Sequence, residues 1–162
     1  MALRVRDATA ADADAIGVVA RAAWRDTYAG LLADSTIEAF VNAAYTVDRL
    51  ERRIAAHTVL VAEDEGGIIA FADALPEADR LSLVAIYAEP ERRGEGAGTI
   101  LLETLRTRYP DRPVVADVLT GNRKGEVFYE RRGFVPREEL VEDLFGEPAA
   151  ERRWWLDATL DP

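Results

Sequence analysis

Three glycines stand at every second position in the segment AEPERRGEGAG, residues 88–98, directly behind two arginines. An apolar run, LSLVAIYA, comes before this segment, and TILLETL, with apolar residues at helical spacing, follows it. A strand, a glycine loop and a helix in this order bring backbone N–H groups and a helix N-terminus to one place, which suits an anion. Because a Cβ would hold phosphate oxygens away from those amides, the glycines predict a phosphate site.

Two common phosphate-binding loops do not fit this segment. A Walker A loop needs a lysine after its last glycine, and no lysine follows any of these glycines. A dinucleotide-binding fingerprint needs G-x-G-x-x-G, but Thr99 or Leu101 stands where the third glycine is required. The motif that is present is R-x-x-G-x-G, from Arg93 to Gly98.

The composition narrows the class of protein. With 162 residues, 49% of them apolar and 31% charged, the chain is expected to form a single globular domain over residues 1–162. Its net charge of −10 disfavours nucleic acid as a partner. Neither a bilayer-spanning apolar run nor a signal-peptide core is seen, which predicts a cytoplasmic protein without a membrane partner. With no cysteine and one histidine, a thiolate nucleophile is excluded and no metal site is predicted.

Hydrophobic periodicity predicts a mixed α/β fold. Helical spacing and T-x-x-D or S-x-x-E caps predict two helices opening near Thr9 and Ser35, and a third from Val47 to about Ala56. Strand patterns then alternate with helical ones, and the C-terminal segment predicts two strands joined around Gly146. The predicted strands are 58–63, 68–74, 81–88 and 114–119, and the further helices are 98–109 and 123–132.

A second motif, NRKGEVFYERRGF at residues 122–134, places an asparagine after a strand and a Phe-Tyr pair on a helix that closes with Gly-Phe. Together with the R-x-x-G-x-G loop, in this order and at this separation, it resembles the GNAT superfamily of N-acetyltransferases. The motifs carry the resemblance over about residues 58–134, and element order carries it over the flanks. It implies a single-domain fold with a central, mostly antiparallel sheet of six or seven strands, a splay between the fourth and fifth strands, and about four flanking helices.

The resemblance implies acetyl-CoA as the cofactor. The loop amides would hold the pyrophosphate, the end of the preceding strand would pair with the pantetheine arm, and Asn122 would bond the cofactor. Tyr129 would face the sulfur and protonate the departing thiolate, as a general acid. The residues so implied are Ile86, Ala88, Arg93, Gly94, Glu95, Gly96, Ala97, Gly98, Thr99, Asn122 and Tyr129.

The general base is left open, because Ser82 stands where many relatives carry an acidic residue. Asp73, Asp79 and Asp117 are candidates. Asp117 interrupts the apolar strand VVADVL and is chosen as the catalytic candidate, since a buried carboxylate there would accept a proton. A position at a sheet edge facing water is equally compatible with this pattern.

The acceptor side is predicted from the segment AWRDTYAG, residues 23–30. Trp24 and Tyr28 share one helical face, and in GNAT relatives this region covers the acceptor pocket. An aromatic wall suits an amine through cation–π attraction, although plain core packing would explain both rings equally well. The prediction is direct acetyl transfer from acetyl-CoA to a primary amine of a small molecule. The alternatives are a protein or peptide acceptor and a non-catalytic acyl-CoA sensor. Formation of a homodimer is left open.

Overall fold

The computed structural model describes residues 2–160, in which seven strands, five α-helices and two single-turn 3₁₀ helices occur. The helices are α1 (Ala13–Tyr28), α2 (Asp34–Ala44), α3 (Val47–Ala56), α4 (Ala97–Arg108) and α5 (Arg123–Arg131). The strands are β1 (Arg4–Asp7), β2 (Thr58–Asp64), β3 (Gly67–Pro76), β4 (Leu81–Ala88), β5 (Val114–Leu119), β6 (Val135–Leu144) and β7 (Glu147–Leu156). The 3₁₀ turns are Ala10–Asp12 and Pro90–Arg92.

The strands form one mixed sheet in the order β1-β2-β3-β4-β5-β7-β6. Every neighbouring pair is antiparallel except β4 and β5, which α4 connects by a crossover. These two strands pair only at Leu81 with Val114 and at Ser82 with Val115, and then separate. The mixed fold and the splay between the fourth and fifth strands are therefore confirmed, with five α-helices where about four were expected.

Helices cover both faces of the sheet. On one face α1, α2 and α3 bury Ile16, Val41 and Phe71, and on the other α4 buries Leu101 and Leu105. Each such side chain contributes about 1.5–3 kcal/mol when it is fully removed from water. Across residues 2–160, none of the helices is both long enough and apolar enough to pass through a bilayer.

The first residues of α2 differ from the prediction. Ser35 was expected to cap this helix, but α2 begins at Asp34, and Ala33, two residues before Ser35, occupies the cap position without a side-chain acceptor. Glu147, at the start of β7, accepts a hydrogen bond of 3.0 Å from the Ala33 backbone N–H instead. The carboxylate of Glu147, from the distant β6–β7 hairpin, thus replaces a local capping side chain. It accepts a hydrogen bond from a backbone N–H that has no partner within the helix.

Candidate cofactor channel and acceptor cavity

The gap between β4 and β5 opens into a channel of about 920 Å³, which we call the cofactor channel. From Leu83 to Ala88 the edge of β4 that faces β5 has no strand partner among residues 2–160. Such an edge can take an extended arm of a ligand as an additional strand. Ile86 and Ala88, predicted to contact the cofactor, both line this channel.

The glycine loop closes the other end of the cofactor channel. Gly94 and Gly96 have φ values of 84° and 88°, a left-handed conformation that favours glycine. A Cβ placed on either residue would meet no atom within 4 Å, so the loop is an open cradle rather than a packing contact. Gly96 is the N-cap of α4, whose first amides have no partner within the helix. This geometry fits a pyrophosphate.

The predicted loop residues line the channel, with one exception. Glu95 does not line it, because its carboxylate turns to Arg92 at 2.7 Å. The side chain of Arg93 is directed toward α1, where it pairs with Asp26 and donates to Thr27 Oγ1 at 3.0 Å. This contact lowers the pKa of Asp26 below its ordinary value. Arg93 therefore offers the channel mainly its backbone in this structure.

Arg132 is a channel residue that the sequence did not single out. Its guanidinium lies 3.6 Å above the ring of Phe128, donates to the Phe128 carbonyl at 2.8 Å and bonds Thr99 Oγ1. Burial lowers its pKa, and no carboxylate within residues 2–160 pairs with it. A cation beside the helix start and without a counter-charge is suited to a phosphate.

Gly98 allows α4 and α5 to approach closely. A Cβ at this position would stand 2.6 Å from Cε1 of Phe128, far inside van der Waals contact. Phe128 has little freedom to move, since the Arg132 guanidinium covers its ring and Tyr129 meets it edge-on with centroids 5.2 Å apart. Gly98 therefore has a packing role in addition to its place in the loop.

We expect Gly98→Ala to destabilise the fold by about 1–3 kcal/mol, because the new methyl group overpacks the α4–α5 contact. Chemical denaturation measures this change. Gly66→Ala is the matched control, since a Cβ there would meet only Asp64 Oδ1 at 3.4 Å. Equal stability of the two variants would contradict the packing role.

Tyr129 lies on α5 at the wall of the cofactor channel and is 9% exposed. Its ring packs edge-on against Phe128 and Phe134, and burial raises the pKa of its hydroxyl well above the ordinary value. Asn122 also lines the channel, but its Oδ1 caps α5 by accepting from Gly125 N at 3.1 Å. The hydroxyl of Tyr129 is thus protonated and can donate, and Asn122 is positioned by its cap.

A second, smaller cavity of about 340 Å³ lies on the α1 side of the splay, and we call it the acceptor cavity. Trp24 and Tyr28 line it as predicted, with Trp24 stacked on Phe40 at 3.9 Å. Five residues line both spaces and mark the junction between them. They are Tyr28, Leu83, Val84, Tyr87 and Asp117.

The junction has two features that periodicity does not reveal. Val84 is the extra residue of a β-bulge, because Leu83 pairs with Ala74 while Ala85 pairs with Asp73. A bulge leaves its extra residue unpaired and bends the strand, which helps β4 to leave β5. Tyr87, also missed, meets the hydroxyl of Tyr28 at 2.8 Å.

Asp117 lies at the junction, but it is not the buried carboxylate that was considered. Its side chain is 36% exposed, and Arg153 of β7 donates to both of its oxygens at 2.8 and 3.0 Å. The edge position facing water is the one the fold adopts, because β4 pairs with β5 only as far as Val115. Arg153 of β7 lies directly opposite Asp117 on the paired side. Ser82 lines the acceptor cavity and bonds Glu77.

The other two base candidates lie outside both cavities. Asp73 is 1% exposed and is held at 2.7 Å by both Arg53 Nε and His57 Nδ1. Asp79 lies in the exposed turn between β3 and β4. Two glutamates that the sequence did not single out, Glu142 and Glu151, line the acceptor cavity instead.

Comparison with known proteins gives matches that agree with this geometry. The model of the acetyltransferase (GNAT) domain matches residues 55–136, about half of the chain. A relative from Thermoplasma acidophilum, spermidine N(1)-acetyltransferase, is 25% identical over 155 residues, or 90% of this chain and 93% of the relative.

Solved structures agree in fold. PaiA N-acetyltransferase from Thermoplasma acidophilum, in complex with coenzyme A, has a TM-score of 0.78 and 25% identity, with 94% of this chain and 98% of that one covered. A GCN5-related N-acetyltransferase from Rhodopseudomonas palustris has a TM-score of 0.82 at 20% identity, with 97% and 96% covered. The expected acetyltransferase class is confirmed, and the chain belongs to the GNAT family of acetyltransferases.

Proposed function

We propose that this protein, as one acetyltransferase domain, moves the acetyl group of acetyl-CoA directly to a primary amine of a small molecule. The observation that carries the proposal is the meeting of two spaces at the strand splay. The cofactor channel of about 920 Å³ opens onto an acceptor cavity of about 340 Å³ at five shared residues. Two substrates bound in these spaces would bring their reacting atoms together at the junction.

The residues of the channel fit coenzyme A. The open cradle at Gly94 and Gly96 and the free amides of α4 would hold the pyrophosphate, and the unpaired edge at Ile86 and Ala88 would hold the pantetheine arm. Arg132 would add a positive charge beside the phosphates. The cofactor supplies an activated thioester carbonyl. The coenzyme A bound to the Thermoplasma acidophilum PaiA structure supports this assignment.

The acceptor cavity favours a small amine over a peptide. Its volume of about 340 Å³ is at the lower end of the range for small-molecule sites, roughly 300–1,000 Å³. The aromatic rings of Trp24, Phe40 and Tyr28 form an apolar wall suited to the methylene groups of such an acceptor. The similarity to a spermidine acetyltransferase supports the same acceptor class. A cavity that opens onto the channel also weighs against a non-catalytic sensor.

The chemistry needs few groups from the protein. The neutral amine nitrogen attacks the thioester carbonyl, the carbon–sulfur bond breaks, and the thiolate takes a proton from Tyr129. Because Arg153 occupies both carboxylate oxygens of Asp117, we propose that Asp117 orients the acceptor at the junction. The proton lost by the amine would then leave through solvent in the acceptor cavity, and Tyr129 would regain a proton from solvent to complete the turnover.

Acetyl-CoA at about 100 times its Kd is expected to stabilise the folded state by about 2.7 kcal/mol, since it binds only that state. A thermal melt with and without the cofactor measures this stabilisation. Release of free thiol over a panel of amines and peptides then identifies the acceptor class. No change in Tm at millimolar acetyl-CoA would contradict cofactor binding. A clear change in Tm with no thiol release from any amine or peptide would favour the sensor.

A further inference from the structure

Two carboxylates lie side by side in the acceptor cavity without a cation between them. Glu142 of β6 is opposite Ala149, and Glu151 of β7 is opposite Leu140, so the two side chains are diagonal neighbours on one face. Both line the acceptor cavity, and neither lines the cofactor channel. Within residues 2–160, no Lys, Arg or His nitrogen approaches either carboxylate to 4.0 Å. We call them the glutamate pair.

The cations near the glutamate pair are already engaged by other groups. Arg153 is bound to Asp117 through two hydrogen bonds, and Arg80 has Glu77 as its nearest carboxylate at 3.7 Å. Asp117 and Tyr28 are the other titratable groups that face Glu151. Negative charge at this end of the cavity is therefore in excess of positive charge.

Burial, and then the contact with Glu142, raise the pKa of Glu151 to about 8. Asp117 adds to this effect, and Arg153 opposes it. At neutral pH the carboxyl group of Glu151 is therefore protonated in the ligand-free protein. A cation placed beside the pair would favour the ionised form and release that proton.

The junction indicates independently where the reacting nitrogen of the acceptor would bind. The hydroxyls of Tyr28 and Tyr87 share one hydrogen bond of 2.8 Å, which uses only one of their two hydrogens. The other hydrogen has no acceptor within residues 2–160, although Tyr28 is only 7% exposed. At the junction this hydrogen is available to an acceptor atom of a bound substrate, such as an amine nitrogen or a thioester oxygen.

The glutamate pair lies outside the cofactor channel and apart from the Asp117–Arg153 pair at the junction. Asp117 is opposite Arg153 at the junction, and Glu151 precedes Arg153 by two residues in β7, opposite Leu119. Two residues of a strand span about 7 Å. The nitrogen that attacks must be uncharged and must reach the junction, whereas a carboxylate pair would hold an amine in its charged form.

We propose that Glu142 and Glu151 bind a second, positively charged group of the acceptor, so that the substrate class is a diamine or polyamine. This inference rests on the proposed acetyl transfer to a small amine and names the acceptor of that same cavity. The aromatic wall covers the carbon chain between the two nitrogens. The amine at the junction is acetylated, and the distal ammonium is held by the pair.

Diaminobutane and butylamine separate this role from general binding, because they share a carbon chain and differ in one amino group. We expect a higher kcat/KM for diaminobutane in the wild type. Glu142→Gln and Glu151→Gln should lower the ratio of kcat/KM for diaminobutane to that for butylamine by about 10- to 100-fold, as expected for loss of a hydrogen bond to a charged group. Glu139→Gln is the control, since Glu139 lies on the same strand, is 85% exposed and lines neither cavity.

Binding tests the inference without turnover. Calorimetry of diaminobutane with the coenzyme A complex, in buffers of different ionisation enthalpy, should show more proton release near pH 7 in the wild type than in Glu142→Gln/Glu151→Gln. Equal losses for both amines, or equal proton release by the two proteins, would overturn the role of the pair. Absence of thiol release from every amine would instead contradict the proposed acetyl transfer, and the calorimetry would still decide the role of the pair.

Discussion

Replacing Tyr129 with phenylalanine is expected to lower kcat by about 10²- to 10⁴-fold, the range for loss of a general acid. The physical reason is the departing thiolate, which needs a proton donor inside a water-poor channel. Burial raises the pKa of the Tyr129 hydroxyl, so the group stays protonated through the neutral range. Removal of the oxygen leaves a ring that keeps its edge-on contacts with Phe128 and Phe134.

Acetyl-CoA binding should survive this substitution, so the increase of Tm with cofactor is the internal control for Tyr129→Phe. Tyr109→Phe is the matched variant, because it removes a hydroxyl bonded to Thr58 Oγ1 at 2.6 Å, away from both cavities. Its kcat should equal that of the wild type. An unchanged kcat in Tyr129→Phe, measured by thiol release at saturating substrates, would exclude Tyr129 as the acid.

Asp73→Ala is expected to destabilise the protein by about 3–5 kcal/mol, the cost of leaving a buried charge without its partner. The carboxylate is 1% exposed and joins Arg53 of α3 and His57 to β3. Arg53 also lies 5.0 Å from the ring centroid of Tyr45 and donates to the Ala44 carbonyl at 2.9 Å. Without Asp73, this guanidinium has no counter-charge at the α3–sheet contact.

Urea denaturation measures the effect of Asp73→Ala, and Asp79→Ala in the exposed turn should stay within about 0.5 kcal/mol of the wild type. Asp73→Leu combined with Arg53→Met should recover much of the loss, because an apolar pair of similar volume can replace a buried ion pair. Below its Tm, Asp73→Ala should keep kcat, since Asp73 lines neither cavity. A large loss of kcat with unchanged stability would make Asp73 a base candidate again.

Several parts of the fold could be predicted from the sequence because they depend on neighbouring residues. The limits of α3, β4 and β5 agree with the predicted ranges, since period and flanking breakers are local properties. The glycine loop could also be predicted, because few residues other than glycine adopt the left-handed φ values found at Gly94 and Gly96. The order of the two motifs then predicted the family.

The rest of the site depends on residues that are distant in the chain. Asp117 forms an ion pair with Arg153, and the Ala33 backbone N–H donates a hydrogen bond to Glu147. The hydroxyl of Tyr28 is hydrogen-bonded to that of Tyr87. No periodicity reports such partners, because strand pairing and helix docking decide them. For the same reason, the polar run of β6 and β7 gave no sign that Glu142 and Glu151 would meet in one cavity.

The sequence by itself determined the family, the anion loop and the order of the helices and strands, because glycine conformation and hydrophobic period act over a few residues. Only the tertiary structure decided which charges are neutralised and which face an open cavity. An ionisable side chain acquires its role from the groups that surround it in space, and in this protein those groups come from α1, β5, β6 and β7.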